Sequence, residues 1–415
     1  MIRIKIAIFF GKTVSLICRK LGLGAGVTWA GEVALKIGGM RVIREIWGSK
    51  EPKETVLIAG TNGKTTTTKL LVTALRNAGK KVVTNESGAN LLNGIVGSLI
   101  TQPAGEFYVL EVDENNLIRV MREMGGMREM TIVLLNLFRD QLDRYGEVDK
   151  IAKDWEKLGE MGGMREMIIN GDDPQLAYLG EKLKKNVFYF GLENKKFLLG
   201  EKPHATDSIF CPKCGGRLNY QGYYLSHLGE YRCGECGLKH PKNNEGNKGN
   251  EGDGRIEGVY NIYNTLAAKL TAKVLGIKKP DFSGFKPAFG RGEEICGVKI
   301  LLSKNPAGFN ESLRTVIDSK EKGPLLLVLN DRIPDGRDVS WIWDTDFELL
   351  QNYKYPIHVS GDRKEDLMVR LKYAEIRNIR VIRDIREIIK KTKWVLATYS
   401  GMLEVRKMLT GKKIL

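Results

Sequence analysis

The strongest apolar runs in this chain are short, and each ends at glycine, an amide or an acid. Residues 56–59 stop at Gly60, residues 81–84 at Asn85, residues 107–110 at Glu111 and residues 131–135 at Asn136. Apolar runs of this length, bounded by turn formers, read as buried strands. Residues 67–78 between the first two carry a helical pattern, and the polar loop 85–93 leads into another. Strands alternating with helices predict a parallel α/β sheet. The hexapeptide Gly125-Gly126-Met127-Arg128-Glu129-Met130 recurs as Gly162-Gly163-Met164-Arg165-Glu166-Met167. Each copy precedes an apolar strand, 131–135 or 167–169. The two read as equivalent helix-to-strand connections, too few for a solenoid.

Further on the pattern returns. Residues 300–302, 325–329, 357–359, 381–382 and 394–398 are apolar runs separated by helical stretches, which predicts a second α/β domain. At the other end, residues 2–21 mix Ile, Phe, Val and Leu with Arg3, Lys5, Lys12, Arg19 and Lys20. Gly22, Gly24 and Gly26 break this segment before a possible helix at 28–37. One face of 2–21 can rest on an anionic bilayer; packing on the first domain is the preferred reading. A chain of 415 residues exceeds one ordinary core. The expected division is an N-terminal helical segment 1–50, a nucleotide domain 51–294 with an insertion at 205–240, and a C-terminal domain 295–415.

Charge widens the field of partners without choosing among them. With 66 basic and 50 acidic residues the formal net charge is +16. That favours nucleotides, phosphorylated substrates, nucleic acid or a membrane surface. No cleavable signal sequence or long apolar span stands out. Four of the six cysteines form one cluster, which does not suggest a secreted disulfide framework.

Two stretches carry recognisable chemistry. Gly60-Thr61-Asn62-Gly63-Lys64-Thr65-Thr66 follows one strand and opens a helix, the context of a phosphate loop. Backbone N–H groups and a helix N-terminus hold phosphate oxygens there, Lys64 neutralises them, and the Thr65 hydroxyl faces Mg2+. Ile58 stands where the full eight-position loop has its first glycine. The second stretch pairs Cys211-Pro212-Lys213-Cys214 with Cys233-Gly234-Glu235-Cys236. Two C-x2-C knuckles eighteen residues apart suit a tetrahedral, structural Zn2+. Four thiolates leave no open position for catalysis, and His204, His227 and His240 are not needed as ligands. Residues 220–225 and Tyr231 would make a small ribbon beside the knuckles. The polar stretch 241–254 reads as a mobile connection.

The loop G-T-N-G-K-T-T resembles the ATP loop of the Mur ligase family, and the resemblance runs through nearly the whole chain. It implies an α/β fold with a Mur-ligase-like central domain, a zinc-ribbon insertion and a C-terminal α/β domain. It also implies ATP, Mg2+ and an acyl phosphate. Glu111 matches the family's magnesium-binding glutamate, with Ser87 or Thr84 as the accompanying hydroxyl. Asn136-Leu137-Phe138-Arg139-Asp140-Gln141-Leu142-Asp143 resembles the asparagine and D-H-L-D region. Gln141 replaces the histidine that organises a second metal, which puts that metal in doubt. Lys153 and Lys157 lie in the region of the family's carbamylated lysine, but neither aligns with it. Asn170-Gly171-Asp172-Asp173-Pro174 matches a turn near the nucleotide and equally suits an Asx turn before a helix. In the stretch from Gly258 to Thr265, Asn261 and Asn264 keep the family's paired amides, one of which would read adenine; capping is the other role. Arg291, in Gly290-Arg291-Gly292-Glu293, would contact ribose or phosphate. Ser360-Gly361-Asp362-Arg363, Arg370 and Lys372 would face phosphate, whereas Arg377, Arg380, Arg383 and Arg386 read as a solvated face. Thr398-Tyr399-Ser400-Gly401 resembles the final family loop.

The later motifs match the branch of the family that amidates lipid II with ammonia from a GatD-like class I glutamine amidotransferase subunit. The resemblance makes Lys64 and Glu111 activation residues. It makes an aspartate of this chain the orienting acid of the partner's catalytic cysteine and histidine. Asp344 is ranked first, beside Asp338 and Asp346. Cys18 and Cys296 are isolated and supply no glutaminase nucleophile. A bacterial cytoplasmic enzyme follows, with contact at the inner membrane face as a further expectation. The alternatives are a stand-alone Mur-type amino-acid ligase, a zinc-containing nucleic-acid-binding ATPase and a structural zinc protein.

Overall fold

The computed structural model describes residues 2–21, 26–85, 89–124, 129–140, 148–183, 186–247, 258–288 and 290–411. Three helices come first: α1 (Ile2–Lys20), α2 (Val27–Gly38) and α3 (Arg41–Lys50). The chain then alternates strand and helix through β1 (Glu54–Ala59), α4 (Lys64–Asn77), β2 (Val82–Thr84), α5 (Leu92–Thr101), β3 (Phe107–Glu111), α6 (Leu117–Met124) and β4 (Met130–Leu134). It continues through α7 (Val148–Trp155), β5 (Met164–Asn170), α8 (Pro174–Leu183) and β6 (Val187–Leu192).

These strands form a parallel sheet in the order β2-β3-β1-β4-β5-β6, closed by the short edge strand β9 (Glu245–Asn247). Alternation along β1 sets its two faces. Leu57 and Ala59 join a core beneath α3, α5 and α6. Val56 and Ile58 join a core beneath α4 and the later helix α9 (Val259–Val274). Because β1 lies between β3 and β4, the chain leaves it towards both halves of the sheet. A cleft therefore opens at its carboxyl end, where ligands of open α/β sheets bind.

Between β6 and β9 the chain leaves the sheet to make the hairpin β7 (Leu218–Leu225) and β8 (Leu228–Cys233). The expected mobile connection over 241–254 fails for its described part. Asn244 bonds both backbone groups of Tyr189, and Glu245 pairs with Lys269 and Lys273 of α9, so 245–247 becomes a strand. Residues 248–257 lie outside the described residues. The hexapeptide copies are not equivalent either: Glu166 is already inside β5, whereas Glu129 precedes β4. Residues 125–128 of the first copy are not described.

The C-terminal domain is a second sheet. Its elements are β10 (Arg291–Ile295), β11 (Val298–Leu302), α10 (Pro306–Asp318), β12 (Leu325–Val328), β13 (Ile357–Ser360), α11 (Lys364–Tyr373), β14 (Ile379–Val381), β15 (Trp394–Ala397) and α12 (Tyr399–Thr410). The order is β10-β11-β15-β12-β13-β14, parallel except for β10. Arg291–Ile295 thus belongs to this sheet, a few residues before the boundary expected at 294. The signal was weak because β10 is polar and pairs at an edge.

Candidate active site

Glycine at two positions lets the loop after β1 turn sharply. Gly60 has φ +143° and Gly63 φ +90°. A β-carbon on Gly60 would lie 3.0 Å from the Asn136 backbone, and one on Gly63 only 2.2 Å from Asn264 Oδ1. Asn136, at the end of β4, braces the loop. Its carbonyl accepts from Thr61 N–H (3.0 Å) and its Oδ1 from Asn62 N–H (2.9 Å), while its amide donates to the Asn62 carbonyl (3.1 Å). Helix α4 starts at Lys64, so its first-turn N–H groups point into the cleft.

The charged groups of the cleft face one another. Lys64 is buried and donates to the Gly60 carbonyl (2.5 Å), the Thr61 carbonyl (3.2 Å) and Glu114 Oε2 (2.9 Å). Burial alone would lower its pKa, but Glu114 and Asp113 outweigh burial and raise it. Thr65 Oγ1 donates to Glu111 Oε2 at 2.8 Å. The other oxygen of Glu111 is buried with no hydrogen-bond partner among the described residues. Burial pushes this carboxyl above the usual range, against the pull of Arg291 and Thr65. A buried hydroxyl–carboxylate pair with one open oxygen fits a hard divalent cation. Thr84 Oγ1 is likewise buried without a partner among the described residues and lines the same cavity as Thr65 and Glu111. Ser87, Gln141 and Asp143 lie outside the described residues. Lys153 and Lys157 are both exposed, and Lys157 pairs with Asp154.

The C-terminal domain closes the cleft directly. Lys304, just past β11, pairs with buried Asp140. Asn305 exchanges amide bonds with Asn62 of the loop (3.3 and 3.1 Å) and caps α10 through Gly308 N–H (2.8 Å). The main cavity lies between the domains and is walled by Asn62, Lys64, Tyr260, Asn264, Arg291 and Lys304. Asn264, not Asn261, faces it; Asn261 is buried behind, its Oδ1 accepting from the Asn264 amide at 3.1 Å. Sequence reasoning missed Glu114, Lys304 and Asn305. Glu114 sits three residues past Glu111, and Asn305-Pro306 after a strand is a helix-start signal.

The four cysteine sulfurs lie within 4.8 Å of one another, with Cys211–Cys236 and Cys214–Cys233 each at 3.5 Å. Zn–S bonds of about 2.3 Å place tetrahedral ligands roughly 3.8 Å apart, so the set fits zinc. None of the three histidines joins it. His240 pairs with Asp172 (2.7 Å), His204 with Asp346 (2.8 Å), and His227 lies between Phe138 and Asp173. Asp172 anchors the ribbon to the sheet by also accepting from Leu192 N–H (2.9 Å) and Tyr263 Oη (2.5 Å). Asp173 caps α8 and holds Leu137 N–H at 2.9 Å. The tip of the β7–β8 hairpin places Leu225 and Leu228 in the wall of the main cavity, which motif spacing did not reveal.

The three aspartates separate by environment. Asp346 is buried and bound to Asn310 (2.7 Å) and Arg314 (3.1 Å). Asp338 is exposed and caps Ser340 N–H at 2.8 Å. Asp344 is partly exposed, with Arg139 at 3.1 Å. Asp338 and Asp344 line one depression with Lys304 and Trp341. Arg370 does not face the cavity as expected. It is buried and donates to the Thr345 carbonyl (2.6 Å) while pairing with Glu348, so it shapes the aspartate loop. Arg363 is taken up by Asp331 and Asp366, and Lys372 is exposed away from the cavity lining. Arg377, Arg380, Arg383 and Arg386 are exposed, as a solvated face requires. In the final loop, Thr398 Oγ1 accepts from Asn330 N–H (3.0 Å) and Ser400 bonds Asp335.

Comparison with known proteins agrees with this geometry. Residues 58–221 match the Mur ligase middle domain, and residues 302–402 match the MurT ligase C-terminal domain. The chain is 31% identical to the lipid II isoglutaminyl synthase (glutamine-hydrolyzing) subunit MurT of Streptococcus pneumoniae, covering 94% of each chain. It is 32% identical to the MurT subunit of Staphylococcus aureus, over 88% of this chain and 87% of that one. Among solved structures, a pseudomurein peptide ligase type C from Methanothermus fervidus superposes with a TM-score of 0.66 at 23% identity, covering 89% of this chain and 81% of that one. MurF ligase from Thermotoga maritima superposes with 0.60 at 16% identity over the same shares. The fold is that of the Mur ligases, and the chain belongs to the MurT family of Mur-ligase-like subunits.

Proposed function

We propose that this chain is the ATP-consuming ligase subunit of a lipid II isoglutaminyl synthase. It would convert the α-carboxylate of D-isoglutamate in lipid II to the amide. The observation that carries this reading is the Lys64–Thr65–Glu111 group at the phosphate loop, closed by Lys304 and Asn305 of the second domain. A carboxylate oxygen of the substrate attacks the γ-phosphorus and ADP leaves, giving an acyl phosphate. Ammonia adds to the carbonyl carbon, phosphate departs, and the nitrogen loses a proton. Lys64, kept protonated by its carboxylate neighbours, moves its donors onto the β- and γ-phosphates. Thr65 and Glu111, with Thr84 beside them, would hold Mg2+, which neutralises phosphate charge. Arg291 and Asn264 contact the nucleotide from the cavity wall. A zinc ion bound by the four cysteines folds an insert too small to bury its own core.

Ammonia comes from a GatD-like glutaminase subunit. Asp344 or Asp338 would orient that partner's histidine, because both are accessible in one depression and Asp346 is not. A lipid-linked substrate puts the reaction at the inner face of a bacterial cytoplasmic membrane. Amidation of lipid II by the purified chain with its glutaminase tests the reading. Turnover should require ATP and both subunits when glutamine is the donor, and ATP and this chain alone with free ammonia. Incorporation of an amino acid without any glutaminase would instead mark a stand-alone Mur-type ligase.

A further inference from the structure

Helix α1 is built inside out for a helix that only packs on protein. Its buried positions are the small residues Ala7, Gly11 and Ser15, which meet α2. Ile4 and Ile8 pack partly on the core, but the other large apolar residues face away. Ile2, Ile6, Phe9, Phe10, Leu16, Ile17 and, just past its end, Leu21 are exposed, Ile2 by 78%, Phe9 by 65% and Leu21 by 66%. At 3.6 residues per turn these seven share one side, away from the buried stripe. Lys5, Lys12 and Arg19 lie together along one border of that side, Arg3 lies on the other, and Lys20, the fifth cation, falls within it at the last turn. Trp29 of α2 is exposed by 65%. The helix holds no acid, and the first acidic residue of the chain is Glu32.

We propose that α1 docks in the headgroup region of an anionic lipid bilayer, with its axis along the surface. An outward apolar side bordered by cations is the arrangement that such a surface takes. No described helix is long and apolar enough to cross a membrane, so the contact is interfacial. Charge selects lipid over a second copy of the chain. Two copies joined through this side would set five cations against five, whereas anionic headgroups offset them. An exposed tryptophan on the neighbouring helix suits a boundary that is apolar on one side and wet on the other.

Sedimentation of the full chain with vesicles tests this without nucleotide or glutaminase, so its failure is distinct from failure of the ligase reading. The protein should pellet with phosphatidylglycerol–phosphatidylcholine vesicles, less so in high salt, and poorly with phosphatidylcholine alone. Phe9→Ser/Phe10→Ser/Ile17→Ser should lower the partition coefficient at least about ten-fold, since three apolar anchors are removed. Its thermal transition should stay close to the parent's, because Phe9, Phe10 and Ile17 are each about half exposed or more and none belongs to the buried core. Lys5→Gln/Lys12→Gln/Arg19→Gln should lose the preference for anionic lipid. Equal pelleting of the apolar variant would overturn the proposal, as would no vesicle binding by the parent protein. A concentration-dependent dimer that the apolar variant abolishes, without vesicle binding, would assign the face to a second copy.

Discussion

Replacing Glu111 by Gln should make the nucleotide-free protein more stable and the enzyme nearly inactive. The two effects share one cause. Glu111 is buried, and its folded-state pKa is raised by that burial. A carboxylate with a raised folded pKa binds more protons folded than unfolded, so its penalty is absent at low pH. The penalty builds as pH rises from the ordinary carboxyl range through the shifted value, and it is fully present above it. Gln keeps the size of Glu and can still accept from the Thr65 hydroxyl, now at 2.8 Å, but carries no charge to desolvate. Relief of one such charge is worth about 1 kcal/mol, or roughly 1–2 °C in Tm for a chain of this length. That gain should be present at neutral pH and shrink on acidification.

The loss appears when Mg2+ and nucleotide bind. A neutral amide at a divalent-cation position removes charge stabilisation of the phosphates, and losing one contact of this kind costs ~10²–10³-fold in turnover. Nucleotide at one hundred times Kd stabilises a protein by about 2.7 kcal/mol, and most of this increment should vanish in the variant. The assay is thermal unfolding at two pH values, with and without Mg2+ and a non-hydrolysable ATP analogue, together with ammonia-driven amidation. A variant with parental turnover and a parental nucleotide-induced shift in Tm would refute the assignment of Glu111.

Lys64→Ala should abolish most ammonia-driven amidation, by ~10²-fold or more, because among the described residues no other lysine bonds the loop carbonyls that Lys64 now occupies; rates with free ammonia check it. Cys211→Ser and Cys236→Ser should each lower bound zinc by metal analysis, and should also weaken nucleotide binding several-fold, since the ribbon tip places Leu225 and Leu228 in the cavity wall. Asp344→Asn should depress glutamine-driven far more than ammonia-driven amidation in a complex that still assembles, with Asp338→Asn compared beside it. Equal loss of both activities in an intact complex would give Asp344 a ligase-site role. Asp346→Asn should behave differently, lowering stability by about 1–3 kcal/mol through its buried contacts to Asn310 and Arg314, which thermal unfolding reads as a lower Tm.

What the sequence made legible was local. The phosphate loop, the acid ending β3 and the cysteine knuckles each depend on a few neighbouring residues whose spacing fixes their geometry. The strand–helix alternation of both domains was legible for the same reason. What stayed hidden joins distant residues. Asn62 and Asn305 meet across 243 positions, and no pattern at either end announces the pair. Asp172 reads locally as part of an Asx turn, yet its carboxylate takes bonds from β6, α9 and the segment after the ribbon. Arg370 was misread because an arginine after a Ser-Gly-Asp turn looks like a phosphate ligand. Its actual partners are carbonyls of a loop packed on the same helix. The 245–247 strand looked like linker because two polar residues around a glycine can form an edge strand only when a neighbouring sheet and helix receive them.

The arrangement of charge in the cleft explains how the same residues can serve both the empty and the loaded enzyme. Without nucleotide, Lys64 satisfies its donors on its own loop and on Glu114, and Lys304 satisfies its charge on Asp140. Neither cation is left buried and unpaired, which would cost several kcal/mol. The same pairs keep the loop folded and the second domain seated. On the proposed reading, phosphate oxygens entering beside Gly63 would offer Lys64 a better partner than two backbone carbonyls, so binding would exchange contacts rather than create a new buried charge. Glu114 and Asp140 would then lose part of their counter-charge while Mg2+ brought its own. The cleft would thus need its carboxylates as much as its lysines, to hold the cations in place until a nucleotide took them over.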